Sequence, residues 1–196
     1  MCWHVTHETN GDRSMVRNLL AAAIVASLGT VVFAADLKSG PQAGDKVPGP
    51  FHPLNINGEY AGKKACLYCE AGDDPTVAIF ARSTDNPALH KLLAALDEAT
   101  VKNAKADMHS FAVFCSTEEK LEPKLKELAE KTKLKSLVLA IEGAEGPEKY
   151  DINKDADVTV IIYKDRRVVA NHTFAKGKLT DKDAEKVVAD VAKIVK

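Results

Sequence analysis

Cys66 and Cys69 stand three positions apart, with Leu67 and Tyr68 between them. Two intervening residues let the thiols close a small disulfide ring. The same spacing lets the second thiol resolve a mixed disulfide formed on the first. Attack on a disulfide requires a thiolate, so the pKa of one thiol must fall from about 8.5 toward neutrality. Local charge gives little net help, because Lys63 and Lys64 favour the thiolate while Glu70, Asp73 and Asp74 oppose it. Gly72 to Pro75 leave little room for a helix after the pair, and the segment 61–74 reads as a loop. Three readings of the pair stand side by side. It is a structural bridge stapling the N-terminal segment. Or it is a redox-active dithiol, in which Cys66, expected to be the more exposed member, attacks and Cys69 resolves. Or it is half of a Zn or Cu site that His52 or Cys115 completes. Glu70, standing where a histidine would have to follow Cys69, excludes c-type haem attachment. The residues imply no other cofactor.

The remaining candidates are weaker. Cys115 closes an apolar run and reads as a core thiol, with partnership to the pair as the sharper alternative. His52, His90, His109 and His172 are scattered, with no i, i+4 pairing of the kind that holds a metal. Asn171-His172-Thr173 matches a glycosylation triplet but falls inside an expected strand. There is no Gly-rich phosphate loop, nucleophile elbow or paired-carboxylate motif. With 27 basic and 28 acidic residues the net charge is −1, which gives no electrostatic case for a nucleic-acid or anionic-membrane partner. Lysines and acids interleave along the C-terminal half as solvated helix faces do.

What must position these residues follows from the chain's organisation. Met15-Val16-Arg17-Asn18 carries one positive charge, Leu19 to Ala35 is apolar, and Val32-Phe33-Ala34 ends in small residues. A charged start, an apolar middle and a small-residue exit make a secretory signal peptide over 15–34. The run is short for a membrane span and is interrupted by Gly29 and Thr30. Residues 1–14 are polar and unpatterned, which points to Met15 as the true start and to the first stretch as an over-called start or tag. The mature chain is then expected to be free of the membrane and exported to the periplasm, the cell envelope or beyond. It begins near Ala35 and holds three cysteines in an oxidising compartment, where a close pair can stay bridged.

Residues 35–75 read as an extended arm followed by the Cys-x-x-Cys loop, and 76–196 as an α/β core. Gly40-Pro41, Gly44, Pro48-Gly49-Pro50 and Pro53 exclude a helix in the arm. Phe51, Leu54 and Ile56 alternate as a short edge strand does, ahead of a turn at Asn57-Gly58. Thr76–Ala81 is a continuous apolar run, as a buried strand requires. Asn86 and Pro87 open a helix whose inner face is Leu89, Leu92, Leu93 and Leu96. His109–Cys115 is the next strand. Ser116 and Glu119 form a capping-box pattern for a helix marked by Leu121, Leu125 and Leu128. Strands follow over 136–141, 158–163 and 168–174, the last two joined as a hairpin by Lys164-Asp165-Arg166-Arg167. Thr180 with Asp183 caps a final helix.

This order resembles the thioredoxin fold, with an N-terminal extension like that of the alkyl hydroperoxide reductase/thiol-specific antioxidant branch. Tyr150-Asp151-Ile152 and the run Asp157 to Asp165 look like that branch's strand-and-hairpin signature. Gly44-Asp45-Lys46-Val47-Pro48 with Phe51 looks like its opening arm. The mature chain, over about residues 40–195, is also similar to small exported thioredoxin-like proteins of planctomycete-type bacteria. The resemblance implies a central mixed sheet with helices on both faces and an extended arm. It also implies protein thiols or disulfides as partners. The departures bear on function. The family's Cys-x-x-Cys, or the peroxidatic cysteine, follows the first central strand, where this chain has Arg82-Ser83-Thr84-Asp85-Asn86-Pro87. The family's proline before the hairpin is replaced by Asp155-Ala156-Asp157. A peroxidase is therefore disfavoured. A thiol–disulfide oxidoreductase working through Cys66 and Cys69 stands against a non-catalytic binding module of the same fold.

Overall fold

A computed structural model describes residues 37–196, so the expectations for 1–14 and 15–34 lie outside the described residues. Six strands form one sheet in the order β1-β4-β3-β2-β5-β6, with β1 Leu54–Asn55, β2 Thr76–Ala81, β3 His109–Cys115, β4 Val138–Glu142, β5 Ala156–Lys164 and β6 Arg167–Ala175. β2, β3 and β4 run parallel, whereas β5, β6 and β1 are antiparallel to their neighbours. The helices are α1 Leu67–Ala71, α2 Pro87–Lys102, α3 Leu121–Thr132 and α4 Asp181–Asp190.

The step from β2 to β3 to β4 always goes the same way across the sheet. Right-handed crossovers then place α2 and α3 on one face. Leu89, Leu92, Leu93 and Leu96 of α2 join Leu125 of α3 and Val187 of α4 there, over Val77, Ile79 and Phe114 of the sheet. The other face carries Ala78, Phe80, Phe111, Val113 and Ile161. It is covered by Val47 and Phe51 of the arm, Leu67 and Tyr68 of α1, and Tyr150 and Ile152 of the loop before β5. Helices thus lie on both faces, three long ones on one and the short α1 with the arm on the other. The arm is fixed by backbone bonds to the hairpin, Gly44 to Val168 at 2.8 Å and Val47 to Arg166 at 2.9 Å.

Local signals explain most boundaries. Asn86 caps α2 by accepting the Ala88 N–H at 2.9 Å, with Pro87 in the first turn. Thr180 and Asp183 form a reciprocal capping box on α4. The Ser116/Glu119 box does not form. α3 starts at Leu121 with no side-chain cap, and Ser116 Oγ instead accepts the Glu118 N–H at 3.2 Å. Pro123 is the reason. In a helix capped at Ser116 it would fall two turns in, where it removes a hydrogen bond and clashes with a carbonyl. In the observed helix it sits in the first turn and costs nothing. The hairpin turn is tighter than its four charged residues imply: Asp165 and Arg166 alone form it, with φ of 52° and 55°.

The segment 61–74 is not all loop. Leu67, Tyr68 and Ala71 are spaced to share one face and all three are buried, which winds α1 between Cys66 and Gly72. Five residues are far too few for a helix to hold itself in water. Burial of that face and the bridge at its start hold it.

Candidate functional site

Cys66 and Cys69 are joined by a disulfide, with Cα atoms 5.2 Å apart. Cys66 is the N-cap of α1, and its Sγ lies 3.1 Å from the Cys69 backbone N, within hydrogen-bond reach. The two sulfurs face different surroundings. Cys66 is half-buried and packs against the cluster built from Phe51, Leu67 and Tyr68, while Cys69 is exposed. The expectation that Cys66 is the more exposed member is therefore reversed. The reason is the rotation of α1: with residues 67, 68 and 71 turned inward, residues 69 and 70 face solvent.

The pair lies at the end of the sheet where β2 begins. Gly72 closes α1, and Asp73 and Asp74 lead directly into Thr76. The tip of the β5–β6 hairpin meets this segment: the Asp165 N–H donates to the Asp73 carbonyl at 2.8 Å, and the Arg166 Nε lies 3.0 Å from the Asp73 carboxylate. The Arg166 guanidinium also stands 5.3 Å from the centre of the Tyr68 ring. Tyr68, between the cysteines, is buried beneath it and is not part of a contact surface. Beside α1 opens a cleft of about 280 Å³, lined by Leu67, Glu70, His109, Ser110, Phe111 and Val138 among others. His109 Nε2 reaches to 3.8 Å from the Asp74 carboxylate at its rim.

The opposite end of the sheet, where β2 finishes, is closed. Arg82 is the first residue after β2 and its guanidinium serves four backbone carbonyls. Nε donates to Ala156 O at 3.1 Å, Nη1 to Ala144 O, and Nη2 to Ile152 O at 3.1 Å and Asn153 O at 3.2 Å. The loop before β5 is thereby strapped over the post-strand position. Sequence reasoning saw only that no cysteine stands there and missed what Arg82 does. Its acceptors come from 62 to 74 residues away, and nothing local signals them.

Cys115 belongs to this closed end. It is 2% exposed, and burial pushes its thiol up to about 12, with the Arg82 charge opposing and the Glu142 charge adding to the shift. His109, at the other end of the same strand, shares the cleft with Leu67 and Glu70. Six residues of strand put Cys115 about 20 Å from that end. Cys115 is an inert core thiol and does not join the pair.

Among the described residues no group of three or more His, Cys, Asp and Glu side chains is placed to hold a metal, so the bridged pair has no third ligand there. His90 contacts the Thr84 carbonyl at 2.6 Å and His172 the Asp190 carboxylate at 3.0 Å, both structural ties. The Asn171 amide nitrogen is engaged by the carbonyls of Ser39 and Pro41, each at 2.8 Å.

The sheet order, the crossovers and the terminal hairpin decide the architecture. The fold is thioredoxin-like. Solved structures share it at low identity. A peroxidoxin, BcpB, from Mycobacterium tuberculosis superposes with a TM-score of 0.56 at 18% identity, over 78% of this chain and 97% of its own. A protein assigned as a protein disulfide isomerase from Bacteroides thetaiotaomicron gives 0.59 at 16%, over 81% and 94%. A thiol peroxidase from Chromobacterium violaceum gives 0.53 at 12%, over 80% and 90%. No protein-family model and no curated protein matches the sequence. The neighbours of this fold are thiol–disulfide oxidoreductases and peroxiredoxins, and this chain carries a bridged Cys-x-x-Cys pair of its own.

Proposed function

We propose that this chain is an exported thiol–disulfide exchange protein, directed to the periplasm or cell envelope by residues 15–34, whose redox pair is Cys66 and Cys69. The observation that carries the reading is the asymmetry of the bridge, with one sulfur open to solvent and the other held at a helix start. A partner thiolate attacks the exposed Cys69 sulfur. The Cys66–Cys69 bond breaks and its electron pair goes to Cys66, whose thiolate can keep the Cys69 N–H as donor. The partner's second thiol, deprotonated, then attacks the partner sulfur of the mixed disulfide and releases Cys69 as a thiolate. The partner dithiol is oxidised and the pair is reduced, so Cys69 exchanges and Cys66 resolves. The substrates are protein thiols or disulfides.

Reduction of insulin disulfides by the purified protein, compared with Cys66→Ser and Cys69→Ser, tests this. Activity lost in both variants, with Cys66→Ser trapping a mixed disulfide through Cys69, supports the assignment. No turnover together with a bridge that resists reduction below about −300 mV identifies a structural staple instead. Cell fractionation tests export.

A second reading is favoured by Arg82: with the post-strand position strapped shut, the domain serves as a binding module and the bridge only staples α1. A Cys66→Ser, Cys69→Ser double variant that folds and keeps its cellular role supports that reading.

A further inference from the structure

We propose that Arg166, at the tip of the β5–β6 hairpin, is a positioning residue that sets the reduction potential of the Cys66–Cys69 bridge; the inference deepens the redox reading above and rests on it. Three observations converge. Arg166 has φ of 55°, and with Asp165 at 52° it makes a two-residue hairpin turn of the kind in which both central residues lie in the left-handed region. Asp-Gly is the favoured pair for such a turn, because glycine adopts that conformation without cost. A long side chain is therefore kept where the backbone disfavours it, and its contacts say what it does there.

The side chain points at the redox segment. Its guanidinium stands over the ring of Tyr68, the residue just before Cys69, at 5.3 Å. Its Nε reaches the Asp73 carboxylate at 3.0 Å and the Gly72 carbonyl at 3.4 Å. One cation thus touches the middle of the Cys-x-x-Cys turn and the two residues that follow α1. The turn's backbone closes the clamp from behind, through Asp165 N–H to Asp73 O and Val47 N–H to Arg166 O.

The effect on the bridge follows from what α1 does when the bridge opens. A five-residue helix has little stability of its own, so once the cross-link opens the segment is held by burial of Leu67, Tyr68 and Ala71 and by the contacts of the hairpin. The clamp confines it with both thiols still in reach of each other. It thereby raises the effective concentration of one thiol at the other and favours the oxidised state. A direct charge effect would act the other way, by stabilising thiolates. That effect is small here because Asp73 neutralises the guanidinium and both side chains are at least half exposed.

The test uses Arg166→Gly, Arg166→Lys and the parent protein, each equilibrated with dithiothreitol or glutathione buffers and read by alkylation and mass spectrometry. This measurement needs no substrate turnover, so a protein inactive on insulin still reports on the clamp. Arg166→Gly removes the side chain and relieves the turn, so its thermal stability should hold or rise. Its equilibrium constant for bridge formation should fall three- to tenfold. At 29.6 mV per tenfold that is a potential less negative by about 15 to 30 mV. Arg166→Lys should recover less than half of the effect, because an ammonium cannot both stack on Tyr68 and reach Asp73. The thiol titration, followed by thiolate absorbance, should not move. An unchanged potential in Arg166→Gly overturns the proposal. A more negative potential accompanied by a raised thiol pKa also overturns it, and would show that charge rather than confinement connects Arg166 to the pair.

Discussion

Replacing Arg82 tests whether the end of the sheet where this fold usually works has become purely structural. Arg82→Met keeps the length of the side chain and removes every donor. Four carbonyls, those of Ala144, Ile152, Asn153 and Ala156, then lose their partner. A hydrogen bond to a charged group contributes roughly 1.5–3 kcal/mol net. The four are not additive, since one guanidinium makes them all and water can reach part of this half-exposed site. The expected loss is therefore about 3 kcal/mol rather than the sum. For a domain of this size that lowers Tm by roughly 6–12 °C. Arg82→Lys should recover less than half, because an ammonium cannot span four acceptors set around a planar fork. Urea unfolding monitored by circular dichroism gives the stability. Amide exchange at Gly146 and Tyr150, whose N–H groups bond within the strapped loop to Gly143 and Pro147, reports the local release. The pair lies a strand length away, so disulfide exchange at Cys69 should be unchanged. A loss below about 1 kcal/mol would refute the strap. Exchange activity that collapses while stability holds would refute the division of labour between the two ends.

Further outcomes can be measured on the same protein. Opening the Cys66–Cys69 bridge, by reduction or by the double serine variant, should lower stability by at most about 2 kcal/mol, because a ring this short restricts the unfolded chain little; a larger loss in urea unfolding would mean that the bridge carries the arm as well. Cys115 should resist iodoacetamide at pH 8 in the folded protein and react fully in urea, since burial holds its thiol near 12. The linked pH effect has a definite sign. The unfolded thiol ionises near 9 while the folded one stays protonated to about 12, so the contribution of this group to stability is constant below pH 9 and declines above it. Cys115→Val should flatten the first part of that decline, and a parent protein equally stable at pH 8 and pH 10 would sink the argument. Asn55 is 1% exposed and neither of its amide atoms has a partner among the described residues. Asn55→Leu should therefore be neutral or stabilising by about 1 kcal/mol, whereas a clear loss of Tm would show that the amide is satisfied in solution.

The core was legible because its signals are local. Thr76–Ala81 and His109–Cys115 are apolar without a break, as strands covered on both faces must be, and both formed where expected. Asn86-Pro87 and Thr180 with Asp183 fix helix starts through side chains adjacent in sequence, and both caps are present. Ser116 with Glu119 carried the same kind of signal and failed. Pro123 lies seven residues on and decides the register by what it forbids. The site was less legible because tertiary contacts make it. α1 has no periodicity to read over five residues, though Leu67, Tyr68 and Ala71 share the spacing of a single buried face. Which sulfur faces water depends on how that face is turned against Phe51, some 15 residues upstream. The charges weighed around the pair, Lys63 and Lys64 against Glu70, Asp73 and Asp74, omitted Arg166, which reaches Asp73 from nearly a hundred residues away.

The two ends of the sheet are built differently, and the proposed redox reading depends on that difference. In parallel α/β units, ligands gather where strands end and helices begin, because unpaired N–H groups point there. At that end here, Asn86 satisfies the start of α2 with its own side chain, Arg82 draws a loop over the gap, and Cys115 is sealed beneath with its thiol held neutral. Among the described residues no exposed cysteine is left there. On the proposed reading the arm and the chain return beside β1 supply a substitute at the far end. They bring a second short helix start to the edge where β2 begins, with a sulfur as its cap and another sulfur one turn on. A helix that short lends little field of its own, so on the proposed reading the Cys69 N–H is left to stabilise the Cys66 thiolate while the hairpin confines the pair. That reading makes the Arg166 clamp and the Cys69 exposure parts of one arrangement. Weakening the clamp should alter the poise of the pair before it alters the stability of the domain.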